Sequence, residues 1–260
     1  MNLHNNLLAI LFLVICSTCA QAQFDTVINL PDTDGTNPAE FSGDSIGNNG
    51  QISSSTQLNL SDGGSIGDGF EAGDSSGSST NVEVNISGGT VGNTFGAFNG
   101  SAVNISGGTV GDNFEADVFS TVNISGGTVG DSFLADSDST VNISGGTVGD
   151  EFRAEFFSRV NLFGTEFFLN GDPFDDLVLD EATTVIDRGE DVVLSGLLTD
   201  GTSFEFDLNS SIVSGEDFFD DSATLTVTLA SAVPEPASGL TLATISILLL
   251  GRRKKPALRS

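Results

Sequence analysis

The chain has 260 residues, 36 of them Asp or Glu against 8 Lys or Arg, with a formal net charge of −28. That length holds one domain, or one and a small companion, besides any targeting segments. All the acids lie between residues 23 and 236, where only Arg153, Arg159 and Arg188 oppose them, so this stretch carries a net −33 and excludes nucleic acid or an anionic membrane surface as its partner.

Residues 7–16 (LLAILFLVIC) form an apolar run of signal-peptide length, too short to cross a bilayer. Ala20-Gln21-Ala22 follows as a small-x-small site, which predicts a signal peptide over 1–22 cut between Ala22 and Gln23. The only cysteines, Cys16 and Cys19, fall inside that leader, and Ile15 and Thr18 before them suit lipidation poorly. The exported chain therefore has neither disulfides nor thiolate metal sites.

After a linker or cap over 23–38, the sequence repeats itself over 39–171. VNISGGTVG begins at Val84, Val103, Val122 and Val141, a strict period of 19, with a degraded copy at Val160 and looser ones at Leu58 and over 40–47. The loop 73–79 carries most of an insertion that leaves the next register intact, as stacked repeats tolerate. Within a copy such as Thr121-Val122-Asn123-Ile124-Ser125, Val and Ile alternate with polar residues, the period-two pattern of a strand. Gly126-Gly127 then permits a corner.

The expected fold is all-β: a parallel β-solenoid of about 19-residue coils, stacked about 4.8 Å apart. Each repeat position then becomes a column. The inward columns are Val91, Val110, Val129 and Val148; Phe95, Phe114, Phe133 and Phe152; and Ala97, Ala116, Ala135 and Ala154. A core of stacked rings without polar handles also explains 20 Phe beside no Trp and no Tyr.

Beyond 171 the period is lost. Residues 172–232 read as a C-terminal β cap or small β module, with 192–198, a turn at Thr199-Asp200-Gly201-Thr202, and the alternating strand 204–208 forming a hairpin. Residues 223–230 (ATLTVTLA) alternate as well.

The last segment runs Val233-Pro234-Glu235-Pro236, then an apolar stretch over 237–251, then Arg252-Arg253-Lys254-Lys255 within the basic end 252–260. A basic cluster after a short apolar segment fits a tail held on the cytoplasmic side of a membrane. The order of parts over 233–260 resembles the PEP-CTERM sorting signal of Gram-negative bacteria. That resemblance implies export, at least transient membrane retention through the C-terminal segment, and recognition by an exosortase-type transpeptidase. It also implies a final place at the cell surface or in the extracellular matrix, associated with extracellular polysaccharide or biofilm.

Between the targeting segments there is no His, Lys, Cys or Tyr. Nucleophilic triads, thiol chemistry and a Lys or Tyr base are thereby excluded, and only paired carboxylates could support catalysis, as in glycoside hydrolysis. Two outward columns are candidate sites. Asp68, Asp112, Asp131 and Asp150, with Asn93 on one rung, form an acidic column. It either binds Ca²⁺ through carboxylate oxygens or caps the corners by accepting backbone N–H groups. The nonapeptide GGxGxDxUx of calcium-binding β-rolls is absent. Asn85, Asn104, Asn123, Asn142 and Asn161, flanked by Ser87, Ser106, Ser125 and Ser144, form a polar face that either stacks structurally or binds carbohydrate or ice. The Ile-Ser-Gly-Gly-Thr core of the repeat resembles the SGGT-rich repeats of autotransporter adhesins, which implies a parallel β-helix without their translocation barrel. The functional expectation is a non-enzymatic surface or matrix protein; a carbohydrate-active hydrolase and an ice- or surface-binding protein are the alternatives.

Overall fold

The computed structural model describes residues 24–174, 177–185, 187–189 and 191–230. Among them one three-residue 3-10 turn, Ala39–Phe41, is the only helical element, and the rest is strand and turn. Seven strands line one wall in sequence order: β1 (Thr26–Leu30), β2 (Thr56–Leu60), β3 (Val82–Val91), β4 (Ala102–Val110), β5 (Thr121–Val129), β6 (Thr140–Val148) and β7 (Arg159–Leu169). Neighbours are parallel, and Val84, Val103, Val122, Val141 and Val160 stand directly opposite one another from strand to strand. A second parallel sheet is built from two-residue strands, among them Gly96–Ala97, Glu115–Ala116, Leu134–Ala135 and Arg153–Ala154, again 19 residues apart. Two parallel sheets visited alternately are consistent with a β-solenoid.

Side-chain alternation decides what lies between the sheets. Along β4 and β5, Val103, Ile105, Val122 and Ile124 are buried, whereas the polar residues between them are not. The Phe column is buried from Phe70 through Phe152, and Phe95, Phe114 and Phe133 stack with centroids 4.7 and 4.8 Å apart. Those spacings equal the strand spacing, so the backbone ladder places each ring in contact with the next. Val91, Val110 and Val129 are buried, and Val148 packs partly exposed against the core. Burying a large apolar side chain contributes about 1.5–3 kcal/mol, so each added turn is stabilised by several such terms.

The glycine pair behaves differently from a corner. The chain keeps pairing across Gly126 and Gly127, with register shifts on either side, so the pair forms a bulge within a continuous strand. Gly127 has φ +81°, and a Cβ there would lie 2.8 Å from the Gly107 carbonyl. Backbone packs on backbone at this column, and only glycine fits.

Beyond β7 the stacking resumes after an excursion. The second half of β7 pairs antiparallel with β9 (Val193–Leu198), and β9 with β10 (Ser203–Asp207), closing a hairpin at Thr199–Thr202. The chain then returns: Phe218–Phe219 pairs parallel with Arg153–Ala154, and β11 (Thr224–Leu229) pairs parallel with β7, Val160 opposite Leu225. Both pairings span 65 residues, one period plus 46. The strand read from the sequence as ATLTVTLA is thus one more parallel rung, and β8 (Ala182–Val185) lies antiparallel along its outer edge. Periodicity hides this rung because parallel pairing fixes register through the backbone and needs no copy of the repeat motif.

Candidate functional site

The Asn column is a continuous hydrogen-bonded ladder. Nδ2 of Asn59 donates to Oδ1 of Asn29, and so on through Asn85, Asn104, Asn123, Asn142 and Asn161, each at 2.8–3.0 Å. Thr226 Oγ1 completes it by donating to Asn161 Oδ1 at 2.8 Å, which places the returning rung in the same column. The amides are therefore consumed by one another, and the flanking Ser87, Ser106, Ser125 and Ser144 hydroxyls donate to main-chain oxygens of the preceding turn at 3.2–3.4 Å. A face so paired internally presents few free donors to a ligand.

The acidic column is also tied along the axis. Asp68 Oδ1 accepts the N–H of Asn93 at 2.9 Å, Asn93 Oδ1 that of Asp112, Asp112 Oδ1 that of Asp131, and Asp131 Oδ1 that of Asp150, at 3.0–3.1 Å. Asn48 begins the series by accepting from Asp68. This is the corner-capping arrangement, and it explains why Asn and Asp alternate freely here: only one acceptor oxygen is required. It explains the preceding glycine too, since a Cβ at Gly92, Gly111, Gly130 or Gly149 would run into the side-chain oxygen arriving from the turn below.

Three other carboxylates gather where the sequence reading names no site. Glu115, at the short strand, and Asp117 and Asp136, in the turns after it, lie within 4.8 Å of one another. Burial, and then the charges of Asp117, Asp136 and Glu155, push the Glu115 carboxyl above its ordinary value. Arg153 pairs with Glu155 at the same edge. At the far end an open cavity of about 550 Å³ is lined by Thr184, Asp187, Arg188, Asp221 and Ser222. Arg188 donates to the carbonyls of Val185 and Asp187 and sits 5.7 Å over the Phe219 ring, so its charge serves to fasten the excursion to the last rung.

Compared with known proteins, the chain matches no family model, no curated protein and no solved structure.

The cleavage site Ala22-Gln23, the sorting motif Val233, Pro234, Glu235 and Pro236, and the basic residues Arg252, Arg253, Lys254 and Lys255 lie outside the described residues. Two buried polar features escape the sequence reading. Ser101, Ser120, Ser139 and Ser158 form an inward column with no hydrogen-bond partner for their hydroxyls among the described residues. The period-two alternation, carried two residues back from Val103, would have found it. Asp217 is the other: its two oxygens accept N–H bonds from Phe152 at 2.7 Å and Asp207 at 3.1 Å. Burial outweighs those bonds and raises its carboxyl to about 7. No local signal marks Asp217, because its burial depends on the chain returning after 46 extra residues.

Proposed function

We propose that this chain is an exported, non-enzymatic surface or extracellular-matrix protein: a parallel β-solenoid of 19-residue coils, sorted through its C-terminal tail and associated with extracellular polysaccharide. The observation that carries this reading is the order of parts over residues 233–260, VPEP, then an apolar run, then Arg-Arg-Lys-Lys, behind a leader ending at Ala22. An exosortase-type transpeptidase is the partner that such a tail addresses. The body's chemistry agrees with a structural role. It holds no His, Lys, Cys or Tyr between residues 23 and 236, and its acidic and Asn columns are spent largely on hydrogen bonds between turns. A net −33 on that body favours neutral surfaces, or surfaces bridged by a cation such as Ca²⁺ through the free oxygens of Asp112, Asp131 and Asp150.

The test is co-sedimentation of the purified protein with the exopolysaccharide of its own bacterium, in Ca²⁺ and in chelator. Binding in either condition supports a matrix protein, and loss in chelator assigns the bridging to Ca²⁺. No sedimentation in either condition rejects association with polysaccharide.

A further inference from the structure

In the loop that follows each two-residue strand, one position is left-handed in every turn. In register its residues are Ser55, Asn81, Gly100, Phe119, Asp138 and Phe157, all with φ between 57° and 73°. Gly, Asn and Asp reach that conformation readily, whereas a bulky side chain there is strained. Phe119 and Phe157 gain no burial in exchange. They are 65 % and 63 % exposed, and the adjacent Phe156 is 56 % exposed. Two strained, solvent-facing rings in one column, where other turns use Ser, Asn, Gly or Asp, need an explanation outside the fold.

The surroundings narrow the explanation. Phe119 and Phe157 are two turns apart with Asp138 between them, so they recur along the axis at roughly 9–10 Å. Asp117 and Asp136, two residues before Phe119 and Asp138 along the chain, gather there with Glu115. Across the short strands an open groove of about 270 Å³ is lined by Asn113, Ser132, Glu151 and Arg153, with donors and acceptors side by side. Apolar rings repeated along an axis and flanked by acceptors suit an extended chain of units that each present an apolar face and hydroxyl donors. The net −33 of the body rejects an anionic chain. A cationic peptide would be drawn to the whole acidic surface and gives no reason for rings at this edge.

We infer that this edge binds a neutral polysaccharide laid along the stacking axis. Phe119 and Phe157 stack against sugar faces, Phe156 widens the apolar strip, and the Glu115, Asp117 and Asp136 cluster accepts hydroxyl hydrogen bonds. The inference rests on the matrix reading above and names the surface responsible.

The test uses the full chain and its F119N/F157N variant. Asn suits the left-handed turn, as Asn81 does in the same column. Removal of two strained residues is therefore expected to raise the melting temperature by about 4–8 °C. In affinity electrophoresis against soluble hydroxyethylcellulose, the parent is expected to be retarded and the variant to lose about tenfold in affinity, near 1.4 kcal/mol. A melting temperature that falls in the variant would show that the rings serve the fold, and unchanged retardation would show that they do not touch the glycan. Binding to polylysine that disappears in the variant would assign the edge to a cationic partner instead. If parent and variant sediment equally with the native exopolysaccharide, this edge is rejected while the matrix reading stands. If the parent binds neither hydroxyethylcellulose nor exopolysaccharide, both are rejected.

Discussion

The regular turns between Val84 and Ala154 and the final turn from Arg159 to Leu229 are built on the same parallel ladders and reach them by opposite routes. In the regular turns the inward and Asn columns copy the residue below: Phe on Phe, Asn on Asn, with Gly on Gly at the bulge. Where the chain returns over 218–229, no paired column continues unchanged. Leu225 stands opposite Val160, Thr226 takes the end of the Asn ladder, Phe219 stands opposite Ala154, and Phe206 from the hairpin packs on Phe152 at 5.5 Å. Identity of side chains is thus one way to stack and is not the requirement. The requirement is a free edge of backbone N–H and C=O groups together with an apolar side chain pointing inward.

The largest expected effect tests the regular columns. Phe133→Ala empties a fully buried site with a ring packed on either side and is expected to cost about 3–5 kcal/mol in urea unfolding. Phe204→Ala, at a partly buried ring of the hairpin, is expected to cost less than half as much. Equal losses would show that the hairpin carries the core as strongly as the repeat does.

Glycine substitutions separate the regions next. Gly127→Ala meets both a left-handed φ and the Gly107 carbonyl, and is expected to destabilise by about 2–4 kcal/mol. Gly201→Ala has a similar φ of +86° at the hairpin tip with nothing within 4 Å, so only about 1 kcal/mol of strain is expected. Thermal melts of the two variants measure the difference.

Among the described residues, the final turn alone contains a buried carboxyl raised to about 7, that of Asp217. A carboxyl whose folded value exceeds its unfolded 3.8 holds its proton more tightly in the folded state. Its contribution to stability is therefore complete below about pH 4 and is lost as pH rises toward 7. The urea midpoint of the parent is expected to fall across that window, and Asp217→Asn to flatten the fall. A parallel profile in the variant would place the pH dependence elsewhere, with Glu115 as the next group to test.

The smallest effects fall on the Asn ladder. Thr226→Val removes only its terminal hydrogen bond and is expected to cost about 1 kcal/mol, whereas Asn123→Ala interrupts the ladder on two sides and is expected to cost up to about twice that. Equal costs would mean that neighbouring amides re-pair around the gap.

The sequence by itself determined what translation along an axis repeats. The period of 19, the inward Val, Phe and Ala columns and the outward Asn and Asp columns are all legible, because a stacked rung must present to its neighbour what its neighbour presents to it. The apolar run over 7–16 and the VPEP sequence at 233–236 are likewise local patterns, readable without any partner residue in space. Tertiary structure alone decided which contacts break that symmetry. It brought Thr226 to Asn161 across 65 residues and buried Asp217 against the amide of Phe152. It also gathered Glu115, Asp117 and Asp136 at one edge and left Phe119 and Phe157 in left-handed turns facing water. These arrangements depend on backbone pairing between distant segments, and pairing of N–H with C=O carries no side-chain signature for a sequence to display.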